Sequence, residues 1–206
     1  MDAPNTTDWI QAIATIVIPI VSVVLAQRVT TEHYRAIATM DLLRNIVLHC
    51  QQLKHEMLDM FQAKCACKKI RGLNEQNNNS KKRIIQGIKN GEASLNAHLE
   101  QAHEHEKSIL MHIQIQDEIF ASSFKRGRQI EAQIDTDILT LGFLLQTKGS
   151  KCGEALRKYL RFFISYTYTT ACQEDFNDFQ QEIHNRICAV VDEVTKLQKA
   201  SIQDDS

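Results

Sequence analysis

After Pro19 the chain runs to Ser206 without another proline, and that absence is the tightest constraint on what it can fold into. Proline fixes φ, lacks an N–H donor and breaks helix interiors. With only 7 glycines in 206 residues, little else interrupts a helix, and runs of strict apolar/polar alternation are missing. The sequence predicts an all-α protein, long enough for one domain with its own core.

Pro19 itself sits inside an uncharged stretch, residues 9–27, bracketed by Asp8 and Arg28. Ile10, Ala12, Ile13, Ala14, Ile16, Val17, Ile18, Ile20, Val21, Val23, Val24, Leu25 and Ala26 cover every face of a helix, where an amphipathic helix would keep one face polar. At ~1.5 Å per residue the stretch reaches ~28 Å, close to the ~30 Å hydrocarbon core of a bilayer. It predicts a single transmembrane helix, in which a mid-span proline is tolerated. No Lys or Arg precedes it, whereas Arg28, Arg35 and Arg44 follow. The positive-inside rule therefore predicts a short outer N-terminus, 1–8, and a cytoplasmic remainder. Trp9 suits the outer interface, and Arg28 and Arg35 suit the inner one. A cleaved signal peptide is the rival, with Val24-Leu25-Ala26 as its cleavage site. Against it, no basic region leads the run, which also exceeds an h-region of ~7–15 residues. The Asp-Trp-Ile start and apolar run resemble the anchors of bacterial inner-membrane proteins, a resemblance that implies no activity.

Beyond the span, Leu43, Ile46, Cys50, Leu53, Met57 and Met60 recur at alternating spacings of 3 and 4, a heptad seam. Span and seam predict one long helix to about Ile70. Leu43, Ile46, Leu53, Met57 and Met60 are its candidate face for self-association, although the intramolecular hairpin could consume the same seam. The asparagine-rich run from Gly72 to Ser80 predicts a hairpin loop over 71–81. A second helix follows from Lys81, striped by Leu95, Leu99, Ala102, Ile109, Ile113 and Phe120. Gly87 and Gly91 weaken its start by about 1 kcal/mol each.

Folded back antiparallel, that helix carries Lys125, Arg126 and Arg128 to the level of Arg28 and Arg35. Such a basic girdle would face anionic headgroups at about 1 kcal/mol per charge; the plainer alternative is a solvated junction at Gly127. A third helix runs from Ile130 to a turn at Thr147-Lys148-Gly149-Ser150. A fourth carries Leu156, Tyr159 and Phe163, and the last carries Phe179, Ile183, Ile187, Val190 and Val194. Thr170 and Gln173 form a capping box, and the tail 201–206 frays. The whole reads as a transmembrane helix continuing into a cytoplasmic antiparallel bundle of long helices over 28–200, with a coiled-coil-like hairpin.

The net charge of −1 argues against nucleic acid as a partner. One cluster is basic: Lys64, Lys68, Lys69, Arg71, Lys81, Lys82 and Arg83, opposed locally by Glu75 alone. No aromatic residue between Phe61 and Phe120 is there to stack bases. In a cytoplasmic setting the 6 cysteines read as free thiols. Cys65 and Cys67 could join His184 and Cys188 in a metal or thiol-sensing site if the fold brought both pairs together. His98, His105 and His112 lie ~10 Å apart along one helix face, too far to share an ion. Glu100 and His103 lack the second such step that a di-iron bundle needs.

Arg44-Asn45-Ile46-Val47-Leu48-His49 is an Arg-x4-His element on a helix. It resembles the motif of HEPN ribonucleases, all-α proteins whose paired subunits bring Arg and His to a phosphodiester. The resemblance implies that His49 acts as the acid/base and that Arg44 stabilises negative charge on the phosphate. Arg28 and His33 repeat the same spacing beside the span. No Gly-rich phosphate loop, nucleophile triad or paired-carboxylate motif is present, and no cofactor is implied. The function these features point to is a membrane-tethered interaction, signalling or scaffold module without catalysis. Its partners are the lipid bilayer and a protein or second copy bound through helical faces. An anchored ribonuclease and a thiol or metal sensor are the alternatives.

Overall fold

A computed structural model describes the backbone of residues 6–168 and 176–204, and the side chains of 21–167 and 176–200 apart from Ala93. Its helices are α1 (Thr6–Lys89), α2 (Asn96–Leu145), α3 (Ser150–Tyr168) and α4 (Phe176–Asp204). Short 3-10 turns at Ala93–Leu95 and Gln146–Gly149 join the first three. The all-helical expectation holds across the described residues. The 84 residues of α1 extend ~125 Å at ~1.5 Å per residue.

Cross-helix contacts set the register. α2 descends antiparallel to α1, with Glu106 beside Lys81, Asp117 beside Cys67, Arg126 beside Glu56 and Asp137 beside His49. α3 then climbs parallel to α1: Tyr159 Oη donates to the Cys50 carbonyl at 3.1 Å, and Lys64 Nζ to that of Tyr166 at 3.1 Å. α4 descends again, from Phe179 stacked on Phe61 at 4.6 Å to Gln198 beside Met40 and Leu48. The middle of α1 is thereby wrapped into a four-helix bundle. Above the bundle, α1 and α2 continue alone as a two-helix arm; below it, α1 continues alone.

The heptad seam on α1 makes the bundle core. Leu43, Ile46, Cys50, Leu53, Met57 and Met60 are fully buried against Ile134 and Leu141 of α2, Leu156 and Phe163 of α3, and Ile183 and Val190 of α4. This corrects one expectation. Leu43, Ile46, Leu53, Met57 and Met60 are consumed within the chain, leaving no part of that seam for self-association.

The hairpin loop expected over 71–81 is also corrected. α1 passes through it unbroken, and the chain reverses at Asn90–Glu92, where Gly91 takes φ +100°. The heptad phase explains the continuity: Ala63, Cys67, Ile70, Asn74, Asn77, Lys81, Ile84 and Ile88 keep the 3–4 spacing and are the buried or half-buried positions of the arm. The asparagines sit in the seam rather than in a turn. Asn77 Nδ2 donates to the Ala102 carbonyl of α2 at 3.1 Å, which satisfies a polar group inside a helix pair. Leu95, at the end of the 3-10 turn, and Leu99, Ala102, Ile109, Ile113 and Phe120 of α2 line the facing stripe as expected.

No junction occurs at Gly127. α2 is continuous there, and glycine permits contact: an added Cβ would stand 2.8 Å from Phe163 Cζ. Among the described residues no helix is long and apolar enough to cross a membrane. Most of the stretch 9–27 falls in residues 1–20, whose side chains lie outside the described set, while the backbone of α1 is helical from Thr6 through Pro19. Thr170 and Gln173 also lie outside the described residues.

Candidate functional site

The ribonuclease-like element is split by the bundle. His49 turns toward α2, where Nδ1 meets Asp137 Oδ2 at 2.6 Å, with side chains 18% and 10% exposed. Burial raises the pKa of Asp137, and the hydrogen bond and charge of His49 oppose that rise. Five residues along a helix correspond to ~140° of rotation, so Arg44 faces elsewhere. It is exposed in a groove with Met40, Leu48 and Gln198.

One phosphate cannot meet both side chains on a single chain. The imidazole is held by a carboxylate, an arrangement that can orient a proton, yet among the described residues no activated nucleophile stands beside it. Burial above all pushes the neighbouring Cys50 thiol up to about 12, with Cys152 and Asp137 adding to the shift. Burial likewise holds Cys152 at about 11, helped by Glu193. Both thiols stay protonated and inert as nucleophiles. Asp137 was not legible as a partner of His49, because nothing local links residues 88 apart.

The thiol set stays divided. Cys67 is buried between α1 and α2, its Sγ donating to Asp117 Oδ1 at 3.4 Å, and Cys65 is half-buried on α1. His184 and Cys188 do meet, at 3.5 Å between Nε2 and Sγ, on the exposed face of α4. Among the described residues no three His, Cys, Asp or Glu side chains converge to hold a metal ion.

The residues expected to form a basic girdle do not reach Arg28 and Arg35. Arg126 Nε donates to Glu56 Oε1 at 2.8 Å, Arg128 pairs with Glu131, and Lys125, next to Arg126, lies exposed. Glu56 is about eight helical turns beyond Arg28, so these cations lie roughly 40 Å from it. What reaches the level of Arg28 and Arg35 is the turn between α2 and α3. There a groove of about 610 Å³ is lined by Arg28, Glu32, Arg35, Thr39, Leu145 and Lys148. Moving the hairpin tip from 71–81 to 90–92 shifts every residue of α2 along α1, which is why Lys148 takes the place expected for Lys125, Arg126 and Arg128.

The basic cluster of the arm is spread along α1 rather than gathered at a tip. Lys81 Nζ pairs with Glu106 Oε2 at 2.6 Å. Lys64, which caps α3 through the Tyr166 carbonyl, also lies 5.2 Å from the Phe120 ring centre. Glu100, Glu104, Asp117 and Glu118 run alongside on α2, so the arm is a dipolar pair of helices. Where it leaves the bundle, Lys64, Lys68, Arg71, Cys67, Asp117 and Phe120 line a groove of about 720 Å³.

Compared with known proteins, the chain matches no family model, no curated protein and no solved structure.

Proposed function

We propose that the chain is a single-pass membrane protein that holds a helical bundle and a projecting two-helix arm at the bilayer surface, as an interaction or scaffold module. The observation that carries this reading is continuity. α1 is one helix from Thr6 to Lys89, so the uncharged stretch 9–27, the bundle and the arm share one axis. The stretch has the length and apolarity of a span, and the charge bias after it favours a cytoplasmic bundle.

The polar side chains of the bundle serve partners within the chain. His49 with Asp137 and Glu56 with Arg126 are interhelical pairs that fix register, and the cysteines facing the core are held protonated. Chemistry of this kind suits a rigid spacer better than an enzyme.

The test is alkaline carbonate extraction of membranes carrying the full chain, followed by labelling of the exposed Cys188 with a membrane-impermeant maleimide. Retention in the pellet, with labelling in inverted vesicles and protection in right-side-out ones, is the expected result. Release into the supernatant would overturn the anchor, and the reverse labelling pattern would overturn the orientation.

A further inference from the structure

Counting back from Leu43 in steps of 3 and 4, the inward face of α1 runs through Thr39, Arg35, Glu32 and Arg28. Within the bundle this face is the apolar seam. Thr39 closes it, buried and donating its hydroxyl to the Arg35 carbonyl at 2.8 Å. Beyond Thr39 the same face is exposed and charged as far as Arg28, the first residue after the uncharged stretch 9–27. What it meets there is the turn between α2 and α3, across the groove of about 610 Å³.

That turn is tightly set. Gln146 takes φ +49°, in the left-handed region that favours glycine, and such a conformation persists only where its surroundings over-determine it. Gly149 is buried, and an added Cβ would stand 3.2 Å from the Leu141 carbonyl. Lys148 is thereby carried to the groove that Arg28 and Arg35 line from α1. Among the lining residues Glu32 is the only carboxylate, against these three cations. It pairs with Arg28 at 2.9 Å, both side chains being exposed. An exposed pair of this kind contributes little, so a stronger anion displaces it readily. Like charges brought to one groove from two elements repel, and an anion between them removes the repulsion.

We infer that this groove holds a phosphate group, supplied by an anionic phospholipid of the leaflet beside it. The inference rests on the anchored reading above. In that reading Arg28 stands at the edge of the hydrocarbon core. Arg35 is ~10 Å further along α1, and long side chains on a helix lean toward its N-terminus, here toward the bilayer. The headgroup layer is about 5–8 Å deep, so both guanidinium groups come within reach of its phosphates, and Lys148 closes the site from the bundle side.

Position favours lipid over an acidic protein. A protein would have to enter between bundle and bilayer, whereas lipid phosphates already stand there, at the local concentration of a surface the anchored chain never leaves. The consequence is mechanical. The span attaches the chain at one point, and a filled groove attaches the α2–α3 turn at a second, fixing how bundle and arm stand on the membrane.

Amide exchange of the full chain in lipid nanodiscs tests this. Residues 144–151 are followed in phosphatidylcholine alone and with rising fractions of phosphatidylglycerol. The expected result is exchange that slows several-fold as the anionic fraction rises. Arg35→Gln and Lys148→Gln, both at exposed positions, should each raise the fraction needed for half that slowing about five-fold. Lys125→Gln, which removes an exposed cation elsewhere, should leave it unchanged. Equal slowing in the Arg35→Gln and Lys148→Gln chains would be a general effect of surface charge and overturns the site. Equal slowing by inorganic phosphate in neutral discs assigns the groove to a free anion and overturns the lipid. No slowing in any disc overturns the phosphate site and leaves the anchor standing. A chain that carbonate releases from membranes and that does not enter discs overturns both.

Discussion

The bundle and the arm are built from the same two helices, α1 and α2, and are held together by different means. In the bundle the α1 seam joins one core with residues of α2, α3 and α4, and it is apolar throughout, from Leu43 to Met60. In the arm the same heptad phase meets one helix only, and three polar positions, Asn74, Asn77 and Lys81, stand between Ile70 and the pair Ile84 and Ile88. The bundle buries whole side chains, down to Tyr159, Phe163 and Phe179, whereas the arm leaves its seam half-exposed and specifies alignment with polar pairs. Hydrophobic stabilisation follows area removed from water, so the bundle is the stable unit. The arm is its less stable extension, and local opening is expected there first.

Breaking the bundle core is expected to have the largest effect. Phe163→Ala removes a fully buried ring between α2, α3 and the α1 seam, and should cost about 3–5 kcal/mol, read as a lower denaturation midpoint with an unchanged slope. A smaller loss on this substitution would mean that the bundle is not the principal core. Next comes the glycine contact. Gly127→Val forces a Cβ against Phe163 at 2.8 Å and should cost about 1–3 kcal/mol by overpacking, whereas Gly72→Ala in the arm, with open space around it, should leave stability unchanged or slightly raised.

In the arm, Asn77→Ala removes the hydrogen bond to the Ala102 carbonyl and should cost about 1 kcal/mol. Faster amide exchange over 70–109 with unchanged exchange in the bundle would locate that loss, and a change spread over both regions would deny their independence.

The smallest expected effect is the one of opposite sign in the two regions. Burial raises the pKa of Asp137 against the opposing His49 contact, and burial likewise raises that of Glu131 against Arg128. The folded bundle therefore binds these protons more tightly than the unfolded chain. Their contribution is full below the unfolded values near ~4 and is lost as pH rises through the higher folded ones. Glu106 in the arm goes the other way, lowered chiefly by its hydrogen bond from Lys81. That contribution is present above the unfolded value and is lost as pH falls through the folded one. Glu154, on the surface of α3 beside Lys158, shares this sign. Lowering the pH from 6 to 4 should thus speed amide exchange in the arm relative to the bundle. Glu106→Gln should flatten the arm's response, and Asp137→Asn the bundle's. Identical trends in both regions would remove the electrostatic distinction.

Much of the helical order was legible locally. The heptad from Leu43 to Met60, the stripe from Leu95 to Phe120 and the turn at Thr147–Ser150 follow from spacing and turn chemistry, and each lies where the pattern places it. The hairpin tip was misread because asparagine favours turns when it faces water, and becomes a seam residue when a carbonyl such as that of Ala102 stands opposite. That one displacement carried Lys125, Arg126 and Arg128 away from Arg28 and brought Lys148 in their place.

The sequence by itself determined that the chain is helical, where apolar faces run along each helix, and that residues 9–27 carry no charge, because these are properties of residues near one another along the chain. Only the tertiary structure decided which partner each face meets. It turned the α1 seam inward, joined His49 to Asp137 instead of Arg44, and left Leu139 and Phe143 exposed. Such pairings depend on register between distant helices, and register follows from the sum of packing over whole seams.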